Sequence, residues 1–290
     1  MASRHLILIA GMHRSGTSIL TRALNLAGVP LPTNLKPASP GVNDDGFWEP
    51  IEVKQFHDEV LKRINSRWDD PREIPEPWFA SPPFESFRAW LTDWIAREFK
   101  DYGMLAVKDP RTCRLIPLWR NACAPLGIDV HAVIIARNPI EVARSLKTRD
   151  RFPETLSFFL WLRHFLDAER FTRGRSRSFV TFEGLMADRL GTVRRIAREL
   201  GLSFPVADEE LTALLDEAVK PQLRHHVASD DDVARAAATL PALTAVWEWA
   251  QQAGAGAMPD PAPLDEVVTR MRQSEQAQAQ AAQAQAAQQQ

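Results

Sequence analysis

Leu6-Ile7-Leu8-Ile9-Ala10 runs without a polar residue straight into Gly11-Met12-His13-Arg14-Ser15-Gly16-Thr17-Ser18. An unbroken apolar strand needs cover on both faces, which is the habit of a central strand in a parallel sheet. A helix from about Ser18 to Ala27 should follow, with Ile19, Leu20, Ala23, Leu24 and Ala27 on one side. Glycines in such a strand-to-helix turn let backbone N–H groups approach a ligand, and the helix N-terminus favours an anion. The opening of the chain therefore predicts a phosphate cradle at the edge of a sheet. The competing reading is an ordinary glycine-containing turn.

The remaining periodicity predicts how the sheet is completed. A second helix spans Ile51 to Ile64, with Val53, Phe56, Val60, Leu61 and Ile64 at helical spacing. Residues 65–84 hold Pro71, Pro75, Pro77, Pro82 and Pro83 with Trp68 and Trp78, and read as an irregular, proline-rich lid loop. Met104 to Val107 reads as a strand, Pro110 to Cys123 as a helix and Val130 to Ala136 as a buried strand. Helices follow from Pro139 to about Leu146 and from Thr155 to Phe171, then a strand from Ser178 to Phe182, then helices near Leu190 to Leu200 and Glu209 to Val219. This order predicts an α/β fold, a parallel sheet with helices on both faces, over residues 1–252. Residues 253–263 are rich in Gly, Ala and Pro and read as a linker. Residues 264–290 read as an Ala/Gln-rich helical or disordered extension, with only Ala and Gln from Gln276 onward. Because no capping signal ends it, the expectation is a natural chain that continues, with self-association or a fused domain through this helix.

A formal charge of −2 gives no basic field, so nucleic acid is not an expected partner. Between Lys108 and Arg151, however, nine Lys/Arg face four acids, a local excess suited to an anionic ligand. Cys113 and Cys123 lie in one expected helix and point to neither a disulfide framework nor a metal site. The Leu6–Ala10 run is too short for a membrane span and lacks a cleavage-like region, so the expectation is a cytoplasmic protein with no integral membrane segment.

The loop has the G-x-x-x-x-G spacing of nucleotide-binding phosphate loops, but Thr17 stands where an NTPase has lysine. Arg14 supplies positive charge instead. NTPases also hold Mg²⁺ through an acid at the end of a hydrophobic strand. Here His131-Ala132-Val133-Ile134-Ile135-Ala136 ends in Arg137-Asn138-Pro139. Both departures point to a ligand neutralised by protein cations, with no metal required.

The loop at Gly11–Ser18 together with Arg137-Asn138-Pro139-Ile140-Glu141-Val142-Ala143-Arg144-Ser145 resembles the two-part donor site of sulfotransferases that use 3′-phosphoadenosine-5′-phosphosulfate (PAPS). The resemblance covers roughly Leu6 to Leu200 and implies a P-loop-NTPase-like fold. By it, Arg14, Ser15, Gly16, Thr17 and Ser18 belong to the 5′-phosphosulfate loop, and Arg137 and Ser145 to the 3′-phosphate site. Lys108 matches the lysine at the bridging or sulfonyl oxygens. Phe182-Glu183 resembles the Tyr-Glu dipeptide near the adenine, and Phe182 reads equally as a plain core ring. Lys108-Asp109-Pro110-Arg111 and Gly46-Phe47-Trp48-Glu49 look like bacterial, carbohydrate-directed members, which implies a glycan or other hydroxyl-bearing acceptor and the product 3′,5′-ADP (PAP). The late Arg-Lys-Gly donor motif of the family is not visible. Leu223-Arg224-His225-His226 is the nearest stand-in, and its histidines read as ordinary surface residues.

The attacking hydroxyl must lose a proton, so a carboxylate or imidazole belongs near the sulfate. Animal cytosolic members carry a histidine two residues after the lysine, where this chain has Pro110. Glu49 resembles the base of the carbohydrate-directed enzymes, and reads alternatively as a first-turn acid at the helix from Ile51. Asp109 reads as an N-cap and His57 as a packing residue, with either as a substitute base. Trp48, Trp68 and Trp78 read as sugar-stacking or core rings. Two other functions fit parts of the pattern: a P-loop small-molecule kinase, and a non-catalytic nucleotide-binding assembly module.

Overall fold

The computed structural model describes residues 3–38, 46–218, 228–236 and 240–288. Leu223-Arg224-His225-His226 lies outside the described residues. The chain runs β1 (Arg4–Ala10), α1 (Thr17–Leu26), α2 (Ile51–Arg63), α3 (Pro82–Glu98), β2 (Met104–Lys108), α4 (Thr112–Cys123), β3 (Ile128–Ala136), α5 (Pro139–Asp150) and α6 (Glu154–Thr172). It continues through β4 (Arg177–Thr181), α7 (Phe182–Ala187), α8 (Arg189–Leu200), α9 (Asp208–Ala218), α10 (Asp230–Ala236), α11 (Ala242–Gly254) and α12 (Ala262–Gln288).

All four strands pair in parallel, in the order β2-β1-β3-β4. The strand that carries the apolar run Leu6–Ala10 is an inner one, as that composition requires. Leu6, Leu8 and Ala10 face one layer, built from α2 to α6, α11 and α12, whereas Ile7 and Ile9 face the other, built chiefly from α1, α8 and α9. The period-two alternation of a strand thus serves two separate cores. This is the expected P-loop-like architecture, a parallel sheet between helical layers.

The register places the chemistry. Ile9 is opposite Lys108, Ala10 opposite Ile134, and Ala136 opposite Thr181. Gly11, Lys108, Arg137 and Phe182 therefore all leave the sheet at its carboxyl edge, where open α/β sheets bind ligands.

Three boundaries differ from the sequence reading. Pro82 and Pro83 do not belong to a loop: they open α3, a helix that the proline count hid. Their missing N–H groups fall in the first turn, where no intrahelical acceptor exists, and Ser81 caps that turn by accepting from the Phe84 N–H (3.4 Å). Phe182 is not a strand residue but the first residue of α7, which the Thr181 hydroxyl caps at Gly184 (3.1 Å). The helix expected from Pro110 begins at Thr112, because the Asp109 carboxylate accepts from the Arg111 N–H (2.8 Å) and holds that dipeptide in a turn.

The C-terminal segment is seated on the main body. Leu264, Val267, Val268 and Met271, spaced i, i+3, i+4, i+7, are buried in the same core as Leu6 and Leu8, whereas α12 is exposed from Gln276 to Ala286. Among the described residues, no helix is long and apolar enough to cross a membrane.

Candidate active site

The loop between β1 and α1 is a cradle by construction. Arg14 (φ 70°) and Gly16 (φ 89°) both sit in the left-handed region. A Cβ on Gly16 would lie 2.4 Å from a Phe182 ring carbon, and one on Gly11 2.6 Å from the Ile135 carbonyl oxygen. Both glycines are demanded by close approach, not only by backbone angle. The Ser15 N–H closes a turn on the Met12 carbonyl (3.1 Å), and the Ser15 hydroxyl is buried with no partner among the described residues.

Arg14 and Ser145 are brought together: the Arg14 Nε donates to Ser145 Oγ at 2.7 Å. The sequence places Arg14 with the 5′ end of a donor and Ser145 with the 3′ end, and the structure makes them one cluster. Arg137 joins it from the end of β3, 3.5 Å from the Arg14 carbonyl oxygen. Burial first, and then the charges of Arg149 and Arg137, push the Arg14 guanidinium below its ordinary range. Burial and like charges both disfavour the charged form of a base.

Arg137 is also structural. Its Nε and Nη2 both lie 2.7 Å from Glu141 Oε2, one helical turn on, and its guanidinium lies 4.3 Å from the Phe182 ring centroid. Glu141 is fully buried and accepts from the Ala228 N–H (3.0 Å). Glu141 escaped the sequence reading, although an acid four residues after Arg137 on a helix was the signal for it. Phe182, expected against an adenine or in the core, is 1% exposed and wedged between Gly16 and Arg137. It is the floor of the cradle and offers no open face for stacking.

Lys108 crosses to the other flank. Its ammonium donates to Glu49 Oε1 (2.8 Å), the Phe47 carbonyl oxygen (2.9 Å) and Ser18 Oγ (3.3 Å), and both Lys108 and Glu49 are buried. The turn that delivers Glu49 depends on Trp48 at φ 58°, an uncommon conformation for a bulky residue, and on the pairing of Lys36 N–H with the Glu49 carbonyl (2.7 Å).

Behind this flank lies a closed buried network. The Trp119 indole N–H donates to His57 Nε2 (3.0 Å), and because an indole only donates, the hydrogen of His57 sits on Nδ1, toward Asp109 (3.1 Å). Asp109 also binds the Arg111 guanidinium (3.0 Å), whose Nε reaches Asp58 (2.7 Å). Burial acts to raise the Asp109 pKa, but the Arg111 charge and the His57 bond outweigh it and hold it well below the usual carboxylate range. Both nitrogens of His57 and both oxygens of Asp109 are engaged, so these residues anchor Arg111.

His13 is the residue sequence reasoning passed over. It projects from the cradle with its ring edge-on to Trp68 (4.5 Å), and Nε2 is buried without a partner among the described residues. Burial, then Arg111 and Arg149, push its pKa well below the ordinary histidine value. Trp68 in turn stacks on Phe152 (5.6 Å). Trp48 lies under Arg22, and Trp78 packs on Phe79 and Phe84.

His164, beneath the loop, is lowered to about 3 by burial and by Arg114, and donates from Nδ1 to the Leu160 carbonyl (2.8 Å). The sign of its effect follows. Between about pH 6.5 and 3 the unfolded chain binds a proton at this position and the folded chain does not. Stability is therefore present in full above that window and falls with pH inside it, by about 1.4 kcal/mol per pH unit for each such histidine. His13 and His131 are lowered as well and add to the slope. Melting temperature is expected to fall steadily from pH 7 to pH 4, and a flat profile would contradict the burial of these rings.

Among the described residues, no cluster of three or more His, Cys, Asp or Glu could hold a metal ion. No protein-family model and no curated protein matches the chain. Solved structures do. The chain is similar to the sulfotransferase domain from the Synechococcus PCC 7002 olefin synthase, at 17% identity over 94% of this chain and 95% of that one, with a TM-score of 0.44. It is similar to a sulfotransferase from Alicyclobacillus acidocaldarius at 18% identity, over 83% and 96%, with a TM-score of 0.43. It is likewise similar to the sulfotransferase domain from the curacin biosynthetic pathway at 11% identity, over 94% and 99%, with a TM-score of 0.46. All three of these similar structures are sulfotransferases or sulfotransferase domains.

Proposed function

We propose that this chain is a PAPS-dependent sulfotransferase that sulfates an acceptor hydroxyl, in particular one on a glycan. The observation that carries the reading is the convergence of Arg14, Arg137 and Ser145 on a glycine-built cradle at the strand ends, where an NTPase would carry a metal-binding acid. The residues fit such a donor. The orphaned Ser15 hydroxyl and the N–H groups that open α1 suit the 5′-phosphosulfate, and Arg14 with Ser145 suits a phosphate monoester. The glycan rests on the likeness of Gly46–Glu49 and Lys108–Arg111 to carbohydrate-directed enzymes.

PAPS supplies the sulfuryl group. Glu49 takes the acceptor proton as the acceptor oxygen bonds to sulfur and the bond from sulfur to the phosphate oxygen breaks. Lys108, already bonded to Glu49, places its ammonium where charge develops on that phosphate oxygen, the role that Lys clamps play in phosphoryl transfer. Arg14 serves both ends, since its backbone belongs to the cradle and its guanidinium reaches Ser145.

A melting comparison tests the donor assignment. PAP is expected to stabilise the protein more than AMP, or ADP with Mg²⁺, because only PAP presents a 3′-phosphate to Arg14 and Ser145. At 100 times its dissociation constant a ligand adds about 2.7 kcal/mol, well within the reach of a thermal scan. Equal shifts from PAP and AMP would overturn the assignment. Labelled PAPS offered to a mixed glycan panel then tests the acceptor class.

A further inference from the structure

The stretch 65–76, part of the lid loop expected over residues 65–84, is fastened along its backbone. Arg114 donates to the Asp70 carbonyl (2.7 Å) and to the Arg72 carbonyl, and Arg163 donates to the Pro71 carbonyl (2.8 Å). Both arginines are fully buried, on α4 and α6, and share the Asp167 carboxylate (3.3 and 3.6 Å). A buried guanidinium spent on carbonyl oxygens is a costly arrangement, and it fixes a loop that has no regular hydrogen bonding of its own.

The last fastening comes from the far end of the chain. Glu275 on α12 accepts from Arg163 through Oε1 (2.6 Å) and from the Glu73 N–H through Oε2 (3.1 Å). One turn earlier, Arg272 grips the Glu73 carboxylate with two parallel bonds of 2.6 and 2.8 Å, and Arg170 adds a second cation at 2.8 Å. Asp70, Pro71, Arg72 and Glu73 are thus held at four successive backbone groups. Two residues before Asp70, Trp68 lies edge-on to His13 of the cradle.

We infer that α12 is a latch: through Glu275 and Arg272 it sets the position of the 65–76 loop, which seats Trp68 on His13 and keeps the phosphate cradle in shape. Glu275 is a positioning residue, more than 200 residues away in sequence from the loop it holds. The consequence for PAP rests on the sulfotransferase reading, whereas the mechanical coupling does not.

Amide hydrogen exchange on the full chain tests the coupling without any ligand. Glu275→Ala is expected to raise exchange at least ten-fold across residues 66–74 and measurably at Met12 to Arg14, with β1 and β3 unchanged. Uniform loss of protection would mean that Glu275 only stabilises the fold, and unchanged exchange in 66–74 would mean that it holds nothing; either result overturns the latch. Faster exchange in 66–74 without any change at Met12 to Arg14 would overturn its reach to the cradle. Should Glu275→Ala fail to fold, Glu275→Gln, which keeps an acceptor oxygen but not the charge, is read the same way with a smaller rise. PAP itself is the second probe. Its dissociation constant should rise several-fold in the variant, and an unchanged constant beside a loosened loop would overturn the effect on the site. If the wild-type protein ignores PAP, the functional reading fails while the exchange result still decides the latch.

Discussion

Glu49→Gln is expected to lower turnover by about 10²–10⁴-fold, the usual worth of a positioned base. The swap is nearly isosteric, and Gln keeps an oxygen to accept from the Lys108 ammonium, now 2.8 Å from Glu49 Oε1. Folding and PAP binding should therefore survive, since Glu49 bonds to Lys108 and not to the Arg14–Ser145 pair. The position argues against a mere helix-end acid. Glu49 precedes α2 and its side chain turns to the Lys108 ammonium, while Glu52 holds the first-turn position. Near wild-type turnover in the variant would overturn the assignment. Asp109 and His57 are poor substitutes, because their polar atoms are already spent on each other, on Arg111 and on Trp119. His13 would be the next candidate, with an unpartnered nitrogen beside the cradle.

Arg137→Ala is expected to cost about 3–5 kcal/mol of stability, the loss typical of removing one partner of a buried ion pair. Sequence alone predicts mainly a loss of donor affinity. The structure adds this cost to the fold itself, because Glu141 has zero exposure and loses both of its bonds to the guanidinium. Phe182 loses its cationic cover at the same time, and the floor under Gly16 is released. Urea unfolding of Arg137→Ala and of the double variant Arg137→Ala with Glu141→Gln separates the effects. The double variant should recover a good part of the loss, since it no longer buries the carboxylate charge that faced the Arg137 guanidinium. If the single variant unfolds like wild type, Arg137 is not the structural cation described. If both variants bind PAP as tightly as wild type, Arg137 has no part in the donor site.

The elements legible in the sequence were those whose pattern is set by local burial. β1 announced itself because the part of it covered on both faces, Leu6–Ala10, is wholly apolar, and Ala132–Ala136 of β3 did so for the same reason. The cradle was legible because glycine spacing records backbone geometry directly. α3 was not, since proline marks a break in the middle of a helix and a beginning at its first turn, and only the Ser81 cap tells which. α12 was legible as a helical or disordered extension but not as a part of the core, because four apolar residues ahead of an Ala/Gln run give no sign of what they pack against.

The site divides along the same line. The sequence by itself determined that cations and hydroxyls gather at one edge of a parallel sheet, because strand ends and a glycine loop put Arg14, Lys108 and Arg137 there whatever the side chains do. Only the tertiary structure decided how those charges are shared. It joined Arg14 to Ser145 and Lys108 to Glu49, and it buried Phe182 as a floor. The same folding turned a proline-rich loop into a fastened wall held by a helix from the other end of the chain. Pairings of this kind depend on distances of a few ångströms between residues 40 to more than 200 positions apart. No periodicity in the chain encodes them, because they are set by how the layers pack.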